Sequence, residues 1–140
     1  MNYVLDTNAL SAVMKGDAPV LERLRSASKQ TVSVPQPVFA EIAYGIERLP
    51  RSKRRDLLRH RFELVRKEFP RAEWSDAVTE AFGMIKASLE RKGKRIEDFD
   101  AAIAAHALAT GAVLVTANLD DMVRVTGLVV EDWSKAPALP

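Results

Sequence analysis

Short apolar runs alternate along the chain with longer segments whose apolar residues recur at helical spacing. The runs are rich in valine, leucine and threonine and predict β-strands at 3–5, 31–34, 113–116 and 128–130. The longer segments predict helices at 9–15, from Pro19 onward, at 38–49, at 51–67, from the cap Ser75 to about Lys92, at 100–109, and briefly after Asn118. Strands that alternate with helices favour a parallel sheet with helices on both faces, which is an α/β fold.

The segment 100–109 contains six alanines, and such small side chains allow a helix to approach a sheet closely. We therefore expect it to be a central, buried helix. His106 lies on it and is expected to be a satisfied core or edge histidine. His60 lies among arginines and is expected to face solvent.

Composition narrows the class of protein. The chain has 140 residues, of which 47% are hydrophobic, and this predicts one domain spanning residues 1–140. It has no cysteine, which excludes disulfides, thiolate metal sites and cysteine nucleophiles, and its two histidines leave little room for a zinc site. No apolar run approaches the length of a membrane span and no export signal is visible, so a cytoplasmic location is expected.

The charge is unevenly distributed. The whole chain carries +2, but residues 48–68 hold nine cations and three anions, so this segment is +6 and the remainder is −4. A compact basic helix suits a phosphate-rich partner, with Arg54 and Arg55 as candidate nucleic-acid contacts. A well-solvated surface helix explains the same charges equally well.

Polar side chains follow the ends of the predicted strands. Asp6 ends the first strand, and Thr116 and Asn118 follow the strand at 113–116. Glu41 and Asp100 lie early in helices, each beside apolar neighbours. Because the carboxyl ends of parallel strands share one edge of the sheet, these side chains are candidates for a common site.

Carboxylates in apolar surroundings are costly to bury unless a cation neutralises them. No lysine or arginine lies within several residues of Asp6, Glu41 or Asp100, and a hard divalent cation such as Mg²⁺ would serve instead. Such a site favours hydrolysis of phosphate esters. The alternative is that Asp6 caps the helix after it and that Asp98 or Asp100 caps the alanine-rich helix.

Several segments together resemble the PIN-domain ribonucleases and, among them, the VapC toxins of bacterial toxin–antitoxin pairs. The resemblance covers nearly the whole chain and rests on an ordered set of motifs. These are Leu5-Asp6-Thr7-Asn8, Ala40-Glu41-Ile42-Ala43-Tyr44-Gly45, Asp100-Ala101-Ala102-Ile103-Ala104-Ala105-His106-Ala107, Leu114-Val115-Thr116-Ala117-Asn118 and Val130-Glu131-Asp132-Trp133.

The resemblance implies an α/β/α sandwich in which Asp6, Glu41 and Asp100 bind Mg²⁺ or Mn²⁺ and catalyse RNA cleavage. It implies that Thr116 is the hydroxyl residue beside the site. Many members have a fourth acid where this chain has Asn118, so a charged ligand for a second metal ion is missing there. Asp121 is either a substitute for that acid or an ordinary turn residue, while Asp98 does not match the motif position.

As partners, the resemblance implies structured RNA such as tRNA, a VapB-like antitoxin, and a homodimer that can assemble further with the antitoxin. The apolar side of the helix at 38–49 is one candidate interface. Two other functions remain open. An α/β phosphatase also begins with a strand-end aspartate but needs a second one where this chain has Asn8, and a non-catalytic RNA- or partner-binding module would not need all three acids.

Overall fold

A computed structural model describes residues 1–135 of the chain. Its sheet has five parallel strands in the order β3-β2-β1-β4-β5. The strands are β1 (Tyr3–Leu5), β2 (Val32–Pro35), β3 (Arg71–Ala72), β4 (Val113–Val115) and β5 (Val130–Glu131). β1 is central, with Tyr3 opposite both Val32 and Val113, so its carboxyl end opens between two neighbouring strands.

Seven helices connect these strands within the described residues. They are α1 (Thr7–Lys15), α2 (Ala18–Ala27), α3 (Gln36–Glu47), α4 (Lys53–Glu68), α5 (Asp76–Arg91), α6 (Asp98–Thr110) and α7 (Leu119–Met122). Successive residues Val4 and Leu5 point to opposite faces of the sheet, and they are 1% and 0% exposed. Helices therefore cover both faces, as the strand–helix alternation predicts.

The alanine-rich helix is buried as expected. Every residue from 101 to 107 in α6 is buried, and α6 packs against β1, β4, α3 and α5. No helix within residues 1–135 is long and apolar enough to cross a membrane.

Several element boundaries differ from the sequence prediction by one or two residues, as at the starts of α1 and α3, and one strand was not predicted. α6 begins at Asp98 rather than Asp100, because acidic residues are favourable throughout a first helical turn. The last strand is Val130–Glu131 rather than 128–130, since Leu128 still donates its N–H to Val125 O in the turn that contains Gly127 at φ 84°. The two-residue strand β3 was not predicted, because so short an edge strand has no periodicity to detect.

Candidate active site

Asp6 is fixed at the carboxyl edge of the sheet between β1 and β4. Its N–H donates to Val115 O at 3.1 Å, and its Oδ1 accepts from Ala9 N at 2.8 Å. The capping role considered from the sequence is therefore real, since Asp6 is the N-cap of α1. The side chain is nevertheless 6% exposed and faces other acids, so capping does not account for its whole environment.

Glu41 reaches this edge from the second turn of α3 and is half-buried. Thr7 Oγ1 donates to Glu41 Oε1 at 2.6 Å, which ties the first residue of α1 to α3. The sequence interpretation gave Thr7 no role of its own. Its position directly after a strand-end aspartate was the signal that could have suggested one.

Asp100 is the third residue of α6 and is half-buried. The prediction that Asp98 or Asp100 caps this helix is wrong, because the N-cap residue is Glu97, whose side chain makes no capping hydrogen bond. Asp98 is exposed and pairs with Lys86 of α5, so its charge is neutralised away from the other acids.

Burial and the neighbouring acids raise the proton affinity of Asp6 and Asp100. Burial raises the pKa of Asp6, hydrogen bonds from Thr116 and Ala9 oppose that shift, and the negative charges of Glu41 and Asp132 add to it. Burial also raises the pKa of Asp100, and the charges of Glu41, Asp6 and Asp121 raise it further. None of the ion pairs found within residues 1–135 involves Asp6, Glu41 or Asp100.

This arrangement fits a hydrated divalent cation. Among the described residues, no three His, Cys, Asp or Glu side chains are close enough to bind one ion together as they stand. Mg²⁺ does not require such a cage, because it typically binds one or two carboxylates and keeps several waters. Unpaired carboxylates that repel one another at a sheet edge supply the oxygen ligands and the charge that such an ion needs.

The residues after β4 border the same acids. Thr116 is 1% exposed, hydrogen-bonds the Asp6 side chain and accepts from Asn118 N at 2.9 Å. The Asn118 side chain is half-buried and does not cap α7. Asp121 is exposed and pairs with Arg124 at 3.5 Å, yet its charge still acts on Asp100.

One acid beside the site was missed by the sequence interpretation. Asp132 directly follows β5, its side chain is only 7% exposed, and its charge acts on Asp6. It accepts hydrogen bonds from Ser134, including one from Ser134 N at 2.9 Å. The strand-end argument that identified Asp6 applies equally to this position.

The two candidate RNA contacts on the basic helix have different environments. Arg54 is exposed and lines a groove of about 270 Å³ that Thr7 and Glu41 also line. Arg55 instead pairs with Glu47 at 2.9 Å and donates to Ile46 O at 3.2 Å, which holds α4 against α3. The structure therefore brings Arg54, but not Arg55, to the groove beside the acids.

The two histidines lie away from this chemistry. His60 is exposed, as predicted. His106 is 1% exposed and contacts the Trp74 ring edge-on at 5.3 Å, but neither ring nitrogen has a hydrogen-bond partner within the described residues. The prediction of a satisfied histidine is wrong on this point, because the buried residues beside it in α6 are alanines and Ile103, whose side chains have no polar atoms. Burial lowers the pKa of its imidazole.

Comparison of the sequence with known proteins identifies relatives over 95–96% of the chain. The profile of the PIN domain family matches residues 3–128. Ribonuclease VapC2 of Rickettsia felis is 31% identical over 96% of this chain and 100% of its own length. Ribonuclease VapC2 of Haemophilus influenzae is 33% identical, with 95% and 98% covered. The tRNA(fMet)-specific endonuclease VapC of Salmonella typhimurium is 29% identical, again with 95% and 98% covered.

Solved structures show the same fold. A chain of VapBC2 from Rickettsia felis, bound to a DNA fragment from the promoter, superposes with a TM-score of 0.85 at 29% identity and covers 95% of this chain and 99% of that one. A chain of DNA-bound VapBC from Salmonella typhimurium gives 0.83 at 26% identity, with 95% and 98% covered. The five-stranded parallel sheet and its helical layers are thus shared with these proteins.

Proposed function

Because the chain belongs to the PIN domain family and, within it, to the VapC ribonucleases, we propose that it is a metal-dependent endoribonuclease that hydrolyses phosphodiester bonds in structured RNA such as tRNA. The observation that carries the proposal is the set of unpaired acids at the carboxyl edge of the sheet, where burial and mutual repulsion raise the pKa values of Asp6 and Asp100. A binding module without chemistry has no need for this electrostatic cost.

We assign Asp6 and Asp100 to holding Mg²⁺ or Mn²⁺, because burial raises the pKa of both carboxylates and the negative charge of Glu41 raises each further. The chemistry that such an ion supplies is activation of water and neutralisation of charge on the scissile phosphate. Glu41, held by Thr7, would either ligate the ion or orient the attacking water. In-line attack then leaves 5′-phosphate and 3′-hydroxyl ends.

Neutral groups and a cation complete the proposed site. The buried Thr116 hydroxyl holds the Asp6 carboxylate and the Asn118 backbone, while the Asn118 amide can contact substrate or water without adding negative charge. Arg54 stands at the groove beside Glu41 and can contact an RNA phosphate. Arg55 stays a candidate RNA contact, but Glu47 binds one side of its guanidinium, so only the remaining N–H groups can donate to a phosphate.

The proposed biological context is a toxin–antitoxin pair. The solved relatives named above are complexes of VapB and VapC proteins, and we propose that this chain is likewise bound by a VapB-like antitoxin and forms a homodimer that assembles further with it. Val38, Phe39, Ile42 and Ile46 on the apolar side of α3 are buried within the chain. This leaves Tyr44, which is 67% exposed, as the large apolar residue of α3 available to a second chain. A cytoplasmic location belongs to the same proposal.

The decisive experiment is incubation of a total tRNA pool with the purified protein and Mg²⁺, Mn²⁺ or EDTA. The Asp6→Asn variant is informative because asparagine caps helices as well as aspartate, so α1 keeps its cap while the charge is lost. Asp98→Asn is the control, since Asp98 pairs with Lys86 outside the site. Discrete products that require metal and disappear only in Asp6→Asn support the proposal, whereas RNA that is bound but never cut would indicate a non-catalytic module.

A further inference from the structure

A groove between α1, α3 and α4 opens directly beside the acids. It has a volume of about 270 Å³, and Thr7 and Glu41 lie at its active-site end. Apolar side chains such as Met14, Ile42 and Leu58 form its floor. A ligand in the groove would therefore contact the Glu41 carboxylate at one end and apolar surface along its length.

Two cations border the groove and are not neutralised. Lys15 of α1 and Arg54 of α4 are both exposed, and neither forms an ion pair in the part of the chain that is described. By contrast, the nearby Arg55 and Arg59 both pair with Glu47. An apolar floor with two free cations at its sides matches one nucleoside and its flanking phosphates, because the base needs apolar contact and each phosphate needs a positive charge.

Gly45 leaves part of this space open. It lies inside α3 with an ordinary helical φ, and a Cβ built on it meets no other atom within 4 Å. Neither the backbone nor the packing of the chain requires glycine here, although glycine is unfavourable in a helix interior. What the missing side chain provides is room in the groove.

We propose that this groove is a nucleotide subsite for the RNA substrate. The base next to the scissile phosphate lies on the apolar floor beside Gly45, and Lys15 and Arg54 contact the flanking phosphates. The inference rests on the proposed ribonuclease function and extends it by naming the surface that selects the substrate nucleotide.

The test is to fill the groove without straining the backbone. Gly45→Leu places a branched side chain in the open space, and Gly45→Ala fills less of it. Gly83→Leu is the control, because Gly83 is also a helix-interior glycine with open space around it but lies on the exposed part of α5. We expect Gly45→Leu to raise the KM for cleavage of the tRNA pool by about tenfold or more, with a smaller rise for Gly45→Ala. Gly83→Leu should cut like the unmodified protein.

A second pair of variants tests the phosphate contacts. Arg54→Ala should weaken binding of a fluorescently labelled tRNA pool, measured with Ca²⁺ in place of Mg²⁺, and reduce the slope of log affinity against log salt by about 0.7–0.9. Arg25→Ala removes an equal charge from an exposed position at the end of α2 that has no ion pair within residues 1–135, and it should leave both values nearly unchanged. If thermal unfolding shows that Gly45→Leu does not fold, Arg54→Ala and Arg25→Ala still test the subsite.

The results separate the subsite from the function on which it rests. If the unmodified protein cuts tRNA and all groove variants cut it with the same KM and salt slope, the subsite is wrong while the ribonuclease stands. If the variants cut normally but no longer bind an antitoxin, the groove holds a protein segment and the nucleotide proposal is overturned. If the unmodified protein never cuts RNA, the proposed function fails, and a loss of binding in Gly45→Leu and Arg54→Ala still supports a nucleotide in the groove.

Discussion

The Thr7 hydroxyl donates a 2.6 Å hydrogen bond to the Glu41 carboxylate, joining residues that are 34 positions apart. Thr7 begins α1 immediately after Asp6, so the same turn that places one acid at the sheet edge also orients a second. A hydrogen bond to a charged group is stronger than one between neutral groups. Thr7 is therefore a positioning residue for Glu41.

Replacing Thr7 with valine should lower kcat and leave KM nearly unchanged, because the side-chain volume is kept while Glu41 loses its donor. A hydrogen bond to a carboxylate is worth about 1.5–3 kcal/mol, which corresponds to roughly a 10- to 100-fold slower reaction. Thr7→Ser restores the hydroxyl and should recover most of the rate. Kinetics of tRNA cleavage provide the measurement, and equal losses in Thr7→Ser and Thr7→Val would assign Thr7 to packing instead.

Neutralising one acid should stabilise the metal-free protein. Because the folded-state pKa of Asp100 is raised, its carboxylate is less stable in the folded protein than in the unfolded chain, and Asp100→Asn removes that repulsion while keeping the shape. We expect a thermal midpoint higher by about 2–5 °C in EDTA. The further rise on adding Mg²⁺ should shrink, because a ligand is lost.

The control for Asp100→Asn is the exposed neighbour Asp98, which pairs with Lys86. Asp98→Asn should leave the thermal midpoint in EDTA unchanged or slightly lower and should retain the full response to Mg²⁺. Identical behaviour of the two variants would contradict a metal role for Asp100.

His106 should make the fold sensitive to mild acid. Burial disfavours the charged imidazole, so the folded-state pKa of His106 lies below its usual value. The stability that His106 contributes is therefore present above the unfolded-state pKa of about 6.5 and is lost as pH falls through the folded-state pKa. In that window the free energy of unfolding should fall by at most about 1.4 kcal/mol per pH unit from this group. Urea unfolding between pH 7.5 and 5 measures it.

His106→Leu should flatten this pH dependence, because leucine cannot take up a proton in the apolar surroundings of α6. Asp6 and Asp100 act in the opposite direction, since their raised pKa values favour the folded state as pH falls. The difference between the two proteins therefore isolates His106. His60→Gln, at an exposed position, should keep the original curve.

The parts of the fold that follow from local pattern were predictable, and the parts that depend on distant contacts were not. Asp6 could be located because a short β-prone run ends in it, and α6 because six alanines lie within residues 100–109. The ion pair of Arg55 is formed with Glu47 of another helix, and β3 is a strand only because it pairs with β2. Both depend on contacts between distant segments, so the local sequence pattern predicts neither.

Two sequence predictions stay predictions. The domain bounds 1–140 extend beyond both the family match at 3–128 and the described residues, which end at 135. The catalytic assignment of Asp6, Glu41 and Asp100 rests on their placement, and only activity measurements test it.

Arg54 and Arg55 are adjacent in sequence but should respond to substitution in different ways. Arg55 shares Glu47 with Arg59 and donates to Ile46 O, so Arg55→Ala loosens α4 from α3 and should lower the free energy of unfolding by about 1 kcal/mol. Arg54→Ala breaks no ion pair found in residues 1–135 and should change stability by less than about 0.5 kcal/mol, while it weakens RNA binding. Urea unfolding and tRNA binding measured on both variants distinguish the two roles. If Arg55→Ala weakens tRNA binding without lowering stability, the Arg55 guanidinium contacts RNA directly and its ion pair with Glu47 opens to allow the contact.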